Sequence, residues 1–178
     1  IEAFSVRKKK KVLLPAQLVY ANYQAEERGE PIIRFPISTG AACGPNSNFA
    51  IYRGLAETIE RDNYMISYLN KIKKKVFDLE KDEDLYKLQK RIERYNLELY
   101  CVDTTLDFNF TSIVAIITDK TGIGPAVVTG LGGSLDSKAA ITTATLEAVR
   151  RHISVRDIYF RQEPPLSPPQ NTIDWNLA

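Results

Sequence analysis

A chain of 178 residues with 44% apolar and 26% charged residues is long enough for one globular domain with a substantial core. Its net charge of +2 gives no reason to expect a nucleic acid or a membrane surface as partner, and no apolar run approaches membrane-spanning length. One histidine and two cysteines without metal or redox spacing argue against a zinc site, a disulfide framework and a catalytic triad, and they favour a reduced, cytoplasmic setting.

The amino-terminal elements are predicted from short apolar runs and a glycine-rich loop. Val12 to Tyr23 predicts a strand that passes into a short helix, and Pro31 to Ile37 predicts a second strand. The glycines of Thr39 to Asn48 let the backbone approach either a ligand or a neighbouring element. A helix follows from about Phe49 to about Lys75, and a helix amino terminus after such a loop is a natural anion site.

The remainder of the chain alternates predicted helices and strands. Its glycine-rich phrase is neither a dinucleotide fingerprint nor a P-loop, because the third glycine and the Gly-Lys-Ser/Thr run are both missing. We predict a helix at 82–96 and strands at 98–104 and 112–118. A strand at 125–129 is followed by a glycine loop with Gly130, Gly132 and Gly133, and then by a helix at 136–153. A last strand at 155–160 and an extended exit segment at 163–170 complete the prediction.

Part of the sequence repeats at an offset of 130 − 40 = 90 residues. The matched pairs include structural and charged residues: Gly40 and Gly130, Ser47 and Ser137, Glu57 and Glu147, Arg61 and Arg151. A repeat of this length favours two similar halves over a solenoid of many units. We therefore predict an α+β (mixed α/β) fold in which each half contains a strand, a glycine loop and a helix.

Acidic residues of the repeated helices form a candidate ligand site. Glu57 and Glu60 lie a turn apart on one helix, and Glu147 occupies the matching place in the second copy. Three carboxylates that meet would repel one another unless a cation lay among them, and oxygen ligands favour Mg²⁺. With Arg61 and Arg151 nearby, the set indicates a nucleoside triphosphate. The alternative is that Glu57–Arg61 and Glu147–Arg151 are simple surface pairs at i, i+4 spacing.

The segments ISTGAACG, GLAETIERDNYMISYLN and VVTGLGGSLDSKAAITTATLEAVRR resemble the YcaO family. The resemblance is strongest to the SagD-like cyclodehydratase (docking scaffold) proteins of thiazole/oxazole-modified peptide biosynthesis, and it spans roughly residues 12 to 153. The matching positions are Ser38, Gly40, Ala42, Gly44, Gly54, Leu55, Glu57, Glu60, Arg61, Asp62, Met65, Tyr68, Leu69 and Asn70.

The resemblance implies ATP and Mg²⁺ as cofactors and a peptide as substrate. It implies phosphorylation of a backbone amide oxygen, attack by a Cys, Ser or Thr side chain, and departure of phosphate to leave an azoline; some relatives form a thioamide instead. It implies a precursor peptide and a leader-peptide-binding protein as partners, and a homodimer stays open. Carried over by motif, Glu57, Glu60 and Glu147 bind Mg²⁺ or phosphate, while Ser38, Arg61 and Arg151 line the nucleotide pocket.

We interpret residues 1–178 as a single YcaO-type domain fragment of a longer protein. Its first half covers about 12–75, a helical insertion about 76–97, and the second half about 98–163. The family often has an acid just before the Ala-Ile of each repeated helix, where this chain has Phe49 and Lys138. Arg150 replaces the family's usual Gln. These departures favour an alternative function, a catalytically inactive scaffold that binds a precursor peptide or partner protein.

Overall fold

The computed structural model describes residues 1–34 and 37–161, and within them the chain is a mixed α/β protein, as predicted. It divides into two compact units, residues 1–58 and the chain from residue 59 onward. The predicted exit segment at 163–170 lies outside the described residues. No helix in the described part is long and apolar enough to cross a membrane.

The first unit begins with a small antiparallel hairpin. Strand β1 (Glu2–Ser5) pairs with strand β2 (Lys10–Leu13), and 3-10 helices follow at Ala16–Leu18 and Glu26–Arg28. The chain thus passes from a short strand into a short helix, as predicted for Val12 to Tyr23.

The strand predicted at Pro31 to Ile37 is not formed in residues 31–34 and 37, which are the part that the structure describes. The buried side chain of Gln17 forms hydrogen bonds with the backbone of this segment. Its amide nitrogen donates to the carbonyl oxygen of Pro31 at 2.9 Å, and its amide oxygen accepts from the N–H of Ile33 at 3.1 Å. Pro31 has no N–H of its own, so this segment bonds to a side chain and not to a second strand.

Helix α1 (Ser47–Leu69) follows the glycine-rich loop and crosses from the first unit into the second. The side-chain oxygen of Asn46 accepts from the N–H of Phe49 at 3.0 Å and so caps the first turn. The helix ends at Leu69, before the predicted Lys75, because Lys71 takes a left-handed φ of 50° and the N–H of Ile72 bonds back to the Ser67 carbonyl at 3.0 Å.

The second unit contains an antiparallel sheet in the order β3-β4-β5, formed by Leu97–Asp103, Thr111–Asp119 and Val127–Ser134. Helix α2 (Glu83–Glu93) and helix α3 (Ser137–Arg161) share a core with this sheet. That core combines helix and strand residues: Leu79, Leu85, Ile92, Leu99, Cys101, Ile113, Ala115, Ile117, Val128, Ala140, Ile141, Ala144 and Ala148. The predictions of α2, β3 and β4 are confirmed with shifts of one to three residues at their ends.

The predicted glycine loop after the third strand is wrong, because Gly130, Gly132 and Gly133 all belong to β5. Helix α3 lies directly on this strand. A Cβ atom at Gly130 would overlap the Ala144 carbonyl oxygen and the backbone of Ala148. These glycines therefore provide close packing of helix on strand and not a turn.

The strand predicted at Val155 to Phe160 is also wrong, since α3 continues to Arg161. Val155, Ile158 and Phe160 make this stretch apolar and β-prone, but its side-chain bonds have helical spacing. The Ser154 hydroxyl donates to the Arg150 carbonyl at 3.0 Å, and Arg161 lies 3.7 Å from Asp157.

Candidate functional site

The glycine-rich loop of the first unit lies against the middle of α1. Gly40 has a left-handed φ of 84°, and its N–H donates to Oε2 of Glu57 at 3.3 Å. A Cβ at Gly54 would lie only 2.5 Å from the Gly40 carbonyl oxygen, so that helix position must also be small. The predicted ligand Glu57 is therefore half-buried and held by loop backbone.

The same close approach occurs in the second unit at positions 90 residues later. A Cβ at Gly40 would meet the Thr58 hydroxyl oxygen at 3.1 Å and the Gly54 carbonyl oxygen at 3.8 Å; one at Gly130 would meet Ala144 and Ala148. The counterpart trios are Gly40, Gly54 and Thr58, and Gly130, Ala144 and Ala148. Helices α1 and α3 also begin at counterpart residues, Ser47 and Ser137. The sequence repeat is therefore a repeat of structure within each unit, although Gly40 lies in a loop and Gly130 in a strand.

Glu60, one turn after Glu57 on α1, belongs to the second unit, and its side chain lies over Gly133 near the end of β5. A Cβ at Gly133 would be 3.0 Å from Cβ of Glu60 and 3.1 Å from its Oε2, and 2.6 Å from the Phe110 ring. Only a glycine leaves room for this half-buried carboxylate over the strand. Gly133 therefore helps to place Glu60, a role that the sequence did not predict.

Buried polar bonds fix the carboxyl-terminal half of α1 on the sheet. The amide nitrogen of Asn63, which is 2% exposed, donates to the Ser112 hydroxyl at 2.8 Å, and the Ser67 hydroxyl donates to the Thr104 carbonyl at 3.5 Å. A buried asparagine requires such partners. Asn63 directly follows the Glu-Arg-Asp phrase, and that position is the only sequence signal that pointed to it.

The second predicted Glu–Arg pair lies on α3. Nη2 of Arg151 donates to Oε1 of Glu147 at 3.3 Å, which is the i, i+4 pair that the simpler alternative predicted. The charge of Arg151 also affects the pKa of Tyr64, a residue of α1 in the same unit. Burial raises the pKa of the Tyr64 hydroxyl, the neighbouring Tyr68 adds to that rise, and the charge of Arg151 acts in the opposite direction. Arg151 is thus within electrostatic range of the α1 turn that follows Glu60.

The remaining predicted site residues are distributed over both units. Ser38 is exposed, and its carbonyl oxygen accepts from the N–H of Ala41 at 2.8 Å in the glycine-rich loop. Ser38 and Glu57 belong to the first unit, and Glu60, Arg61, Glu147 and Arg151 to the second. Across residues 1–34 and 37–161, no three His, Cys, Asp or Glu side chains converge as metal ligands would. The Mg²⁺ assignment therefore rests on donor chemistry, since carboxylates are the oxygen ligands this ion prefers.

Two of the three residues that depart from the family pattern, Lys138 and Phe49, have structural partners. Nζ of Lys138 lies 2.6 Å from Oδ2 of Asp84 and 3.0 Å from Oδ1 of Asp82, which caps α2. The hydrogen bond with Asp84 is the main cause of a raised pKa at Lys138. In the first unit the Phe49 ring lies over Gly44, where a Cβ would overlap it. Lys138 thus joins the starts of α2 and α3, and Phe49 packs on the loop.

The chain's two cysteines differ in environment. Cys101 is fully buried in β3 with its sulfur 3.7 Å from the Thr145 hydroxyl oxygen, whereas Cys43 is exposed in the glycine-rich loop. Burial raises the pKa of the Cys101 thiol, and the contact with Thr145 offsets only part of that rise. A buried thiol with a raised pKa, such as that of Cys101, is not typical of a catalytic cysteine.

Comparison with protein families and known proteins identifies several relatives. A family profile described as YcaO cyclodehydratase, ATP- and Mg²⁺-binding, matches residues 1–173. A protein of Methanothermobacter thermautotrophicus without an assigned function is 28% identical over 153 residues, which are 84% of this chain and 40% of the relative. The chain thus spans about two-fifths of the length of the curated relative that it matches.

Solved structures share the fold at lower sequence identity. YcaO of Methanopyrus kandleri, bound with AMPPCP and Mg²⁺, is 20% identical with a TM-score of 0.74, over 94% of this chain and 44% of that one. A chain of the E. coli microcin synthetase McbBCD complex, with pro-MccB17 bound, is 18% identical with a TM-score of 0.71, over 92% of this chain and 43% of that one. At this identity the likeness shows the fold alone.

Proposed function

The chain belongs to the YcaO family, whose members bind ATP and Mg²⁺, and we propose that the protein containing it modifies backbone amides of a peptide at the expense of ATP. The observation that carries this proposal is the repeated helix. Helices α1 and α3 begin at Ser47 and Ser137, and each carries Glu and then Arg at matching places, Glu57 with Arg61 and Glu147 with Arg151.

The proposed ligand set combines acidic and basic groups of the two helices. Glu57, Glu60 and Glu147 would hold Mg²⁺, while Arg61, Arg151 and Ser38 would contact phosphate oxygens of the nucleotide. When bound, Mg²⁺ supplies positive charge that stabilises a phosphoryl group in transfer. Two structural observations support this set: loop backbone holds Glu57, and Gly133 makes room for Glu60. Arg151, paired with Glu147, is within electrostatic range of the Tyr64 turn.

The proposed reaction is cyclodehydration. A Cys, Ser or Thr side chain of the substrate peptide attacks the carbonyl carbon of the preceding amide and loses its proton. The amide oxygen takes the terminal phosphoryl group of ATP. The C–O bond then breaks so that this oxygen leaves as phosphate, while the amide nitrogen loses its proton and forms a C=N bond with the same carbon. The products are an azoline ring, ADP and phosphate. Positive side chains near the phosphates would stabilise the negative charge of this transfer.

The proposed partners follow from the same chemistry. A precursor peptide is the substrate, and a separate protein that binds its leader segment would bring it to the site; the McbBCD complex with pro-MccB17 bound provides the analogy. A thioamide product is the alternative within this class. The mass change distinguishes them, since an azoline loses one water whereas a thioamide exchanges oxygen for sulfur. A homodimer and a cytoplasmic location stay predictions.

Phosphate release by the full-length protein tests the proposal. With ATP, Mg²⁺, precursor peptide and partner protein, release should require the peptide. Glu57→Gln and Glu147→Gln should each lower it at least about 100-fold, the usual scale for losing a charge-stabilising group. Glu83→Gln, whose side chain is 81% exposed on α2, is the matched control and should keep wild-type turnover. Normal turnover in both site variants would disprove the assignment.

A second candidate function is a docking scaffold without ATP chemistry. Lys138 and Phe49 favour it, because they stand where the family often has acids and both have structural contacts. Titration calorimetry of the full-length protein with ATP and Mg²⁺ separates the two. Saturable heat that Glu147→Gln removes supports the enzyme, whereas no heat together with intact peptide binding supports the scaffold.

A further inference from the structure

A cavity of about 490 Å³ lies in the second unit and is lined by residues other than those proposed for the nucleotide. Helix α3 contributes His152, Ile153 and Arg156 to its lining, and the β4–β5 connection contributes Ile123. This volume is in the range of pockets that hold small organic ligands. The nucleotide proposal uses none of these residues.

The base of the cavity is a buried histidine–aspartate pair. Nε2 of His152 lies 2.9 Å from Oδ2 of Asp119, and their side chains are 7% and 3% exposed. The other carboxylate oxygen of Asp119 accepts from the N–H and the hydroxyl of Thr121 at 2.7 and 2.6 Å. A Cβ at Gly124 would lie 2.5 Å from Asp119 Oδ2 and 2.9 Å from Nε2, so the loop backbone covers the pair. The imidazole is therefore fixed in one orientation.

This orientation leaves one ring nitrogen toward the cavity. His152 lines the cavity, and within residues 1–34 and 37–161 its only hydrogen bond is the one to Asp119 through Nε2. A buried Nδ1 without a partner would be costly, and the described part of the chain has no buried side-chain nitrogen or oxygen in that state. Nδ1 is thus accessible at the base and can share one proton with a carboxyl group.

The rim supplies a positive charge. Arg156 is exposed one helical turn beyond His152, and no carboxylate of the described residues pairs with it. The walls between base and rim are aliphatic, from Leu97, Val149 and Ile153. A phosphate would leave these walls uncovered, and a plain hydrocarbon would leave the arginine and the imidazole without partners.

We propose that this cavity binds a small carboxylate with an apolar body. The carboxylate contacts Arg156 and Nδ1 of His152, and the apolar body covers the aliphatic walls. Asp119 is a positioning residue, because it orients the imidazole without contacting the ligand. The site is independent of the proposed ATP chemistry, so either can be disproved alone.

Calorimetric titration of the full-length protein with octanoate tests the proposal. We expect saturable binding at one site per chain, and at least about tenfold weaker binding of octanol, which lacks the charge; a tenfold change corresponds to about 1.4 kcal/mol. Arg156→Gln should weaken octanoate about tenfold, and the matched Arg161→Gln, on the same helix at 82% exposure, should leave it unchanged.

A second pair of variants locates the ligand. Ile153→Glu places a negative charge at the cavity and should abolish octanoate binding, whereas Ile158→Glu, at an equally exposed isoleucine of α3, should not. Equal melting temperatures for the two variants show that folding is retained. In ¹³C-histidine spectra, octanoate should shift the resonance that His152→Gln removes. No binding, equal binding of octanol, or full binding by Ile153→Glu would overturn the proposal.

Discussion

Helices α1 and α3 share an origin in the repeat but differ in what covers them. Both begin at counterpart residues and meet a glycine at the same position of the repeat. On α3, Ala140, Ala144 and Ala148 are fully buried against the sheet. On α1, by contrast, large apolar side chains are exposed, with Ile51 at 53% and Leu55 at 58%. The glycine contact is therefore the constant part of the repeat, and the rest of each helix surface is free to differ.

The largest expected effect comes from adding one methyl group at the two counterpart glycines. Gly130→Ala puts a Cβ into the backbone of α3, which cannot move away without leaving the sheet, and should lower the free energy of unfolding by about 3 kcal/mol or more. Gly40→Ala brings a Cβ close to the Thr58 side chain, with the Gly54 carbonyl oxygen at an ordinary contact distance of 3.8 Å, in a backbone with a left-handed φ, and should cost about 1 kcal/mol.

Denaturant unfolding of the full-length protein measures this difference, with Gly122→Ala as the control. Gly122 also has a positive φ, 72°, but nothing lies within 4 Å of an added Cβ, so it isolates the backbone term. Equal losses of unfolding free energy for Gly40→Ala and Gly130→Ala would contradict the idea that an added Cβ overlaps helix backbone at Gly130 and not at Gly40.

The next effect concerns polar anchoring of α1. Asn63→Ala removes the amide that bonds to the buried Ser112 hydroxyl, and leaving such a group unsatisfied costs about 1–3 kcal/mol. Amides of residues 59–69 should exchange faster with solvent, while those of α3, which is held by alanines, should not change. Hydrogen exchange with mass spectrometry follows both helices at once.

Asn70→Ala is the matched control, because Asn70 bonds only to the carbonyl of its own helix at Ile66. If Asn63→Ala left the exchange of residues 59–69 unchanged, the bond to Ser112 would have no anchoring role.

The third prediction concerns Asp119, the partner of His152. His152 is buried on α3, whereas its counterpart in the repeat, Asp62 on α1, is exposed. Burial acts to raise the pKa of Asp119, but hydrogen bonds from Thr121 and His152 outweigh it and lower that pKa below its ordinary value. A lowered carboxyl pKa stabilises the fold above the unfolded value of about 3.9, and the stabilisation is lost as pH falls through the folded pKa.

Melting temperatures measured between about pH 2.5 and pH 6 test this sign. The wild type should exceed Asp119→Asn at pH 6, and the gap should close below about pH 4. Asp157→Asn, at a carboxylate that is 49% exposed, is the surface control and should change the melting temperature at pH 6 less than Asp119→Asn does. A gap that stays constant down to the lowest pH would mean that the charge of Asp119 does not contribute.

The smallest effect is expected at Lys138, whose ammonium bridges Asp82 and Asp84 at the surface. Lys138→Gln should lower the melting temperature slightly at low salt and not at high salt, because salt screens exposed charges. Lys87→Gln, which breaks a single pair with Glu83 within α2, is the control and should have a smaller effect. A salt-independent loss at Lys138 would indicate packing and not charge.

The comparison of the two helices also shows how far the sequence alone could predict the fold. The predicted helix starts, about Phe49 and Asp136, lie within two residues of the observed Ser47 and Ser137, because caps and apolar spacing are local properties. The residues Gly130, Gly132 and Gly133 suggested a loop, since nothing local reveals that a helix from further along the chain lies on them. Likewise, the β-prone residues of Val155 to Phe160 did not reveal that α3 continues to Arg161.

For the candidate site, the sequence suggested the charged residues, whose role stays a prediction, but it did not suggest the residues that position them. Glu57, Glu60 and Glu147 were found from repeat and motif, but Gly133 and Asn63 act through the strand positions that face them. Such roles depend on strand register, which the sequence does not state. His152 was noted only as the single histidine, and its pairing with Asp119 depends on the fold of the β4–β5 connection.

The contrast between the two cysteines has a practical consequence. Within this chain, a thiol-reactive fluorophore should label Cys43 and spare Cys101, which is fully buried with a raised pKa. A dye at Cys43 would report from the loop that holds Glu57, next to the Phe49 ring on Gly44. A change in its emission on addition of ATP and Mg²⁺ is what the proposed role of Glu57 predicts, and no change would count against that role.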